Sequence, residues 1–240
     1  MARTATKTPG TSRGSSSRGS SPGWKCQGNL EQELRARGFR LVAGTDEVGR
    51  GSLFGAVVAA AVILSPDAPI RGLNDSKQIE PERRETLAIH IRERAIAWSI
   101  AAVDAATIDR VNIYQASRMA MKSAIQQLLP GPDFVLVDAV PLDIPLPQQA
   151  LIQGDERCHA IAAASIIAKV YRDRMMREWD RFYPEYGLAN HKGYSSPEHM
   201  AAIRTHGPTP LHRFSFEPVR RHAFFSPLPG DRQMEMFAAV

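Results

Sequence analysis

Residues 56–64 read Ala-Val-Val-Ala-Ala-Ala-Val-Ile-Leu, nine apolar residues without a charge or a turn former. Such a run is about half the length a membrane span needs, and it fits a strand covered on both faces. Phe134-Val135-Leu136-Val137 repeats the pattern in four residues and ends in Asp138. Strands of this kind need layers packed on either side, so the chain must supply helices. Glu80–Arg94, Asp109–Leu129 and Cys158–Arg181 carry helical patterning. Phe39–Thr45 and Ala95–Val103 read as further strands that form an opening meander with the 56–64 run, and Ala150-Leu151-Ile152 reads as a short one. The order of elements predicts an α/β domain with a mixed sheet, and no internal repeat is present.

Composition narrows the class. A chain of 240 residues holds one well-buried domain or at most two small ones. Its two cysteines, Cys26 and Cys158, make neither a metal knuckle nor a disulfide framework, so a reducing compartment, the cytoplasm, is expected. The net charge of +5 is confined to the start of the chain. Residues 1–28 hold Arg3, Lys7, Arg13, Arg18 and Lys25 and no acid, while the remainder balances 25 basic against 25 acidic residues. Rich in Ser, Gly, Thr and Pro, residues 1–28 have too little to bury and are expected to be a disordered basic tether with non-specific phosphate affinity. They lack the apolar core of a secretory signal. The folded domain is expected over 29–222, followed by a flexible C-terminal tail, 223–240.

The chemistry is expected where strands end. Gly44-Thr45-Asp46-Glu47-Val48-Gly49-Arg50-Gly51 sets two carboxylates at the end of the first strand, Asp138 closes another, and Asp155 follows Gly154 just before a helix. Acids brought together there would repel unless cations joined them. Oxygen ligands without His or Cys at ligand spacing suit Mg²⁺ or Mn²⁺. Each acid taken alone reads more readily as a helix cap or a solvated turn, Asp155 above all as an N-cap. Neighbouring residues of a strand face opposite ways, so for Asp46 and Glu47 to share a site the strand is expected to end, twist or bulge at Glu47, eased by Gly49 and Gly51.

Six blocks in order, "GTDEVGRGSLFGAVVAAAVIL", "LNDSKQIEPERRETL", "IDRVNIYQASRMAMKSAI", "FVLVDA", "GDERCHAIAAASIIAKVYRDRMM" and "HKGYSSPEHMAAIRTHGPTPLHRFSFEPV", resemble the ribonuclease HII family over residues 40–219. The resemblance implies a ribonuclease H-like fold, a central mixed sheet flanked by helices with a helical C-terminal part. It implies hydrolysis of RNA strands in RNA/DNA hybrids and at single ribonucleotides embedded in duplex DNA, by two metal ions, leaving 5′-phosphate and 3′-hydroxyl ends. The family's metal-binding and catalytic acids fall on Asp46, Glu47, Asp138 and Asp155. Its loop meeting the ribose 2′-hydroxyl falls on Gly49, Arg50 and Gly51, its sugar-stacking tyrosine on Tyr194, and a phosphate-contacting lysine on Lys77. Ser52-Leu53-Phe54 stands where the family more often has Pro-Leu-Ala, and Ala139 where many members have Gly. The implied enzyme is a monomer with no membrane contact, at work in replication and in ribonucleotide repair. A non-catalytic hybrid-binding module on the same fold is the rival reading, although it would have no use for four carboxylates.

Residues 190–222 add Lys192, Arg204, Arg213, Arg220, Arg221 and five of the seven histidines, a basic segment suited to phosphate tracking around Tyr194. Asp173 reads as a structural ion-pair partner of Arg172 and Arg174, Lys169 as a phosphate contact or a snorkelling lysine, and Met119 and Met121 as core. Near the end, Gln233, Met236 and Phe237 resemble the peptide by which bacterial proteins bind the sliding clamp.

Overall fold

A computed structural model of the chain describes residues 28–223. The two expected tails, with Gln233, Met236 and Phe237, lie outside the described residues apart from Gly28 and Ala223 at the borders. Within them, β1 (Val42–Val48), β2 (Val57–Leu64), β3 (Ala95–Val103), β4 (Phe134–Asp138) and β5 (Gln148–Leu151) form one sheet in the order β3-β2-β1-β4-β5. The meander β1-β2-β3 is antiparallel, and β4 and β5 continue the sheet parallel to β1.

Alternation along β2 explains its unbroken apolar run. Val57, Ala59, Ala61 and Ile63 pack under α3 (Ala105–Val111) and α4 (Ile113–Gln126). Val58, Ala60 and Val62 pack under α2 (Pro81–Arg94) and α6 (His159–Phe182). The small residues of α6 let it lie close on the sheet: Ala162, Ala163 and Ala164 are fully buried, and a Cβ on Gly44 of β1 would stand 2.2 Å from the Ala160 carbonyl carbon. The sequence reading passed over α1 (Asn29–Ala36). Its Glu31 carboxylate accepts hydrogen bonds from Ala160 N at 2.9 Å and Cys158 Sγ at 3.1 Å, meeting the positive end of α6 from another helix.

Beyond the short α5 (Gly154–Arg157), the chain after α6 forms the expected helical C-terminal part: α7 (Leu188–His191), α8 (Pro197–His206) and α9 (Glu217–Ala223). It has its own apolar cluster, in which Phe54 packs with Met176, Tyr186, Ile203 and Val219. His199 and His212 are fully buried there, with their Nε2 atoms 3.2 Å apart. Burial pushes His199 down to about 4 and His212 down to about 3, so both are neutral and add nothing to a basic surface. Among the described residues, no helix is long and apolar enough to cross a membrane.

Two local expectations are corrected. Met121 is core, but Met119 is 45% exposed. The helix expected over Asp109–Leu129 is broken at Asn112, which has φ 69° and caps α4 by accepting from Gln115 N at 3.0 Å. A helical pattern on both sides hides such a break, because asparagine tolerates a positive φ better than other side chains and supplies the cap itself. Asn112→Ala, which keeps the strain and loses the cap, is expected to lower unfolding stability in urea by about 1–2 kcal/mol. Asn112→Gly, which loses the cap but relieves the strain, should recover most of that.

Candidate active site

β1 carries the site, though not by breaking. It runs regularly through Val48, pairing Asp46 with Ala60, Glu47 with Ala59 and Val48 with Val58 of β2. The expected bulge at Glu47 is absent. What changes is the other neighbour: pairing with β4 stops at Thr45↔Val137, so residues 46–48 have a free edge on that side. Asp46 and Glu47 keep opposite faces of the strand, and both still line one cleft of about 550 Å³ that opens at this edge. The register of two strands distant in sequence therefore does what a local kink was expected to do.

The other expected residues converge on the same cleft. Asp138, Asp155, Lys77, Gly49, Arg50, Gly51 and Tyr194 all line it. Asp138 ends β4, and its Oδ1 accepts from Gly154 N at 2.8 Å, which ties the end of the strand to the first turn of α5, where Asp155 sits. Asp155 is thus no cap of α6, whose N-cap is Cys158. Ala139 has φ 60°, so the bend that aims Asp138 is one that a glycine would enter more easily.

Burial, then the charges of Glu47 and Asp138, hold the Asp46 carboxyl well above the usual range. Glu47 is raised by burial against the opposing pull of Arg50, whose Nη1 lies 3.1 Å from Glu47 Oε1. Asp138 is raised by burial. Burial, then Asp75 and Asp138, push Asp155 up to about 6. Burial works to lower Lys77, but Asp75, Asp155, Asp46 and Asp138 together outweigh it and its pKa rises. A cluster of carboxylates that hold each other's protons, with no imidazole or thiolate among them, suits a hard divalent cation. Among the described residues, no three His, Cys, Asp or Glu side chains close on one point at ligand spacing. The set is open, as suits an ion that keeps several waters and takes substrate oxygens.

Several neighbours escaped the sequence reading. Ser165 of α6 lies beside Asp46, where its hydroxyl works against the rise of that carboxyl, and stands 2.9 Å from Ser76 Oγ. Asp75 raises Asp155 by its charge and accepts from Lys77 N at 2.9 Å, so "NDSK" contributes an acid as well as its lysine. Asp173 is the expected structural ion-pair residue, but its partners are Lys169 at 2.7 Å and Arg84 at 3.6 Å. Arg213, expected to track phosphate, is fully buried and donates to the carbonyls of Gly55 at 2.9 Å and Arg50 at 2.8 Å. Its signal was ambiguous, because an arginine that satisfies backbone carbonyls looks like any surface cation in sequence.

The two glycines of the loop differ in kind. Gly49 has φ 92°, and a Cβ there would lie 2.2 Å from Arg172 Nε. Gly51 has no such constraint: its Cβ would meet only Tyr194 Cε1, at an ordinary 3.9 Å. Nothing inside the protein requires a glycine at 51, and the open side faces the cleft.

A family model described as Ribonuclease HII matches residues 43–219, nearly the whole described domain. The chain belongs to the ribonuclease HII family. Ribonuclease HII of Solibacter usitatus is 71% identical over 214 residues, covering 89% of this chain and 93% of that one. Ribonuclease HII of Koribacter versatilis is 56% identical over 195 residues, 81% of this chain and 77% of that one. Among solved structures, the ribonuclease H2 of Pyrococcus horikoshii superposes with a TM-score of 0.67 at 26% identity, over 78% of this chain and 98% of that one. The RNase HII of Archaeoglobus fulgidus, solved in complex with PCNA, gives 0.64 at 28%, over 74% and 96%. As a ribonuclease HII, the chain is a ribonuclease H enzyme acting on RNA/DNA hybrids, and the non-catalytic binding module is set aside.

The acids of the cleft should weigh on the protein's own stability. A carboxyl whose pKa rises on folding favours the fold at low pH, and that contribution is lost as pH rises through the folded value, about 6 for Asp155. Asp46→Asn in chelator at pH 8 is therefore expected to stabilise the protein by about 1–2 kcal/mol, with the gain shrinking as the wild-type carboxyl is protonated in acid. Mg²⁺ should raise the melting temperature of the wild type more than that of Asp46→Asn.

Proposed function

We propose that the chain cleaves at single ribonucleotides embedded in duplex DNA as well as within RNA/DNA hybrids, leaving 5′-phosphate and 3′-hydroxyl ends. The observation that carries this is one cleft joining four carboxylates to a glycine loop and an aromatic ring. Asp46, Glu47, Asp138 and Asp155 would hold two divalent ions, Mg²⁺ or Mn²⁺. When bound, such ions supply an activated water and offset the charge that develops on the phosphate and leaving group.

The chain's own residues supply position and choice. Ser165 stands beside Asp46, Gly154 N fixes Asp138, and Arg50 steadies Glu47 across 3.1 Å. Lys77, its charge favoured by the acids around it, faces backbone phosphate at the cleft wall. Only the 2′-hydroxyl marks the substrate locally, so a donor or acceptor must reach it at short range. The open α-carbon of Gly51 permits that approach by main chain. Tyr194, 37% exposed beside Gly51, offers its ring to the neighbouring sugar.

On a duplex with one ribonucleotide, wild type with Mg²⁺ or Mn²⁺ is expected to cut, and chelator to abolish cutting. Asp46→Asn should fall below about a thousandth of the wild-type rate, on the order of 4 kcal/mol. Intact substrate with both metals would sink the proposal. Gly51→Ala should melt like the wild type yet cut about a hundredfold more slowly, whereas Gly49→Ala should lose stability.

The clamp reading of Gln233, Met236 and Phe237 draws support from the Archaeoglobus fulgidus RNase HII, which was solved with PCNA. Deleting residues 233–240 is expected to abolish co-purification with the bacterial clamp and to leave cleavage of short duplexes intact. Undiminished clamp binding would remove these residues from the interface.

A further inference from the structure

Arg172 is fully buried in α6, and among the described residues no carboxylate stands within ion-pair distance of its guanidinium. The adjacent acid, Asp173, is engaged by Lys169 and Arg84 instead. Arg172 gives its donors to main chain: Nε to Ala56 O at 3.2 Å, Nη2 to Phe54 O at 3.2 Å and Nη1 to Lys192 O at 3.0 Å. Two of those carbonyls follow the glycine loop, and the third precedes Gly193-Tyr194. The guanidinium carbon lies 5.6 Å from the centre of the Tyr194 ring, and Nε lies directly beneath the Gly49 α-carbon. One planar cation therefore joins the segment that follows the glycine loop to the segment that precedes Tyr194, far apart in sequence.

We propose that Arg172 is a positioning residue for ribonucleotide selection, holding the Gly49–Gly51 loop and the Tyr194 ring in one fixed relation. The assignment rests on the reading that this loop and ring contact the sugar. Lysine cannot replace it, because an ammonium presents its donors from one point and cannot span three carbonyls lying in different directions. Neither does a plain packing role account for the contacts. A residue needed only to fill volume would not require a glycine opposite it and an aromatic face above it.

The test uses the full-length enzyme and a ratio: kcat/KM on a duplex with one embedded ribonucleotide, divided by kcat/KM on a long RNA/DNA hybrid. Loss of folded enzyme lowers both and leaves the ratio alone. Arg172→Lys is expected to lower the ratio about tenfold, mainly through kcat, as displacement of positioning groups does. Combined with Tyr194→Ala, it should lower the ratio no further than Tyr194→Ala alone. If Arg172→Lys does not fold, Arg172→Gln, which keeps a planar donor of smaller reach and cannot span the three carbonyls, takes its place and should lower the ratio in the same way. A lowered ratio for Tyr194→Ala with an unchanged ratio for Arg172→Lys, or factors that multiply in the double variant, would overturn the role of Arg172 alone. An unchanged ratio for Tyr194→Ala would instead overturn the reading of the sugar surface.

Discussion

The close seat of α6 on β1 is the contact from which the rest of the site is laid out. It exists because Gly44 has no side chain and the facing turns of the helix are alanine. Ser165, Lys169, Arg172 and Met176 then follow at helical spacing along one face of α6. The first lies beside Asp46, the second lines the cleft, the third braces the glycine loop and the fourth lies beneath Gly55. Seven residues, about 10 Å of helix, join Ser165 beside the acids to Arg172 beneath the glycine loop. Because the helix is stiff over that length, neither end can shift without the other.

The sequence announces the acids well, because carboxylates at the ends of apolar strands have few ordinary reasons to gather. It announces their geometry poorly. The adjacency of Asp46 and Glu47 called for a bulge on local grounds, yet the answer lay in where β4 stops pairing, a property of residues 134–137. The same holds for Arg172 and Arg213. In sequence they stand among other charges on a long helix and in a basic segment. Only the fold reveals that both are buried against backbone carbonyls. Asn112 escaped for the opposite reason: the helical pattern on both sides is sound, and a single residue turns the chain between them.

The domain carries two kinds of buried titratable group with opposite effects. The raised carboxyls of the cleft favour the fold in acid and work against it as they ionise. His199 and His212, held neutral, favour the fold at higher pH and weaken it as the pH falls below the ordinary histidine value. The first group sits where a cation would relieve it, the second in an apolar cluster where nothing would. Function accounts for the strain in the cleft. The histidine pair instead belongs to the packing that anchors Phe54.

The free edge of β1 has a meaning beyond catalysis. An unpaired strand edge inside a twisted sheet is a place where another extended chain could add itself, and proteins guard such edges with charge. Here the guards are the acids themselves, Asp46 and Glu47 on the open residues and Asp138 at the end of the neighbouring strand. Carboxylates placed at such an edge make it a poor template for a stray β-strand, a second effect of the same three side chains.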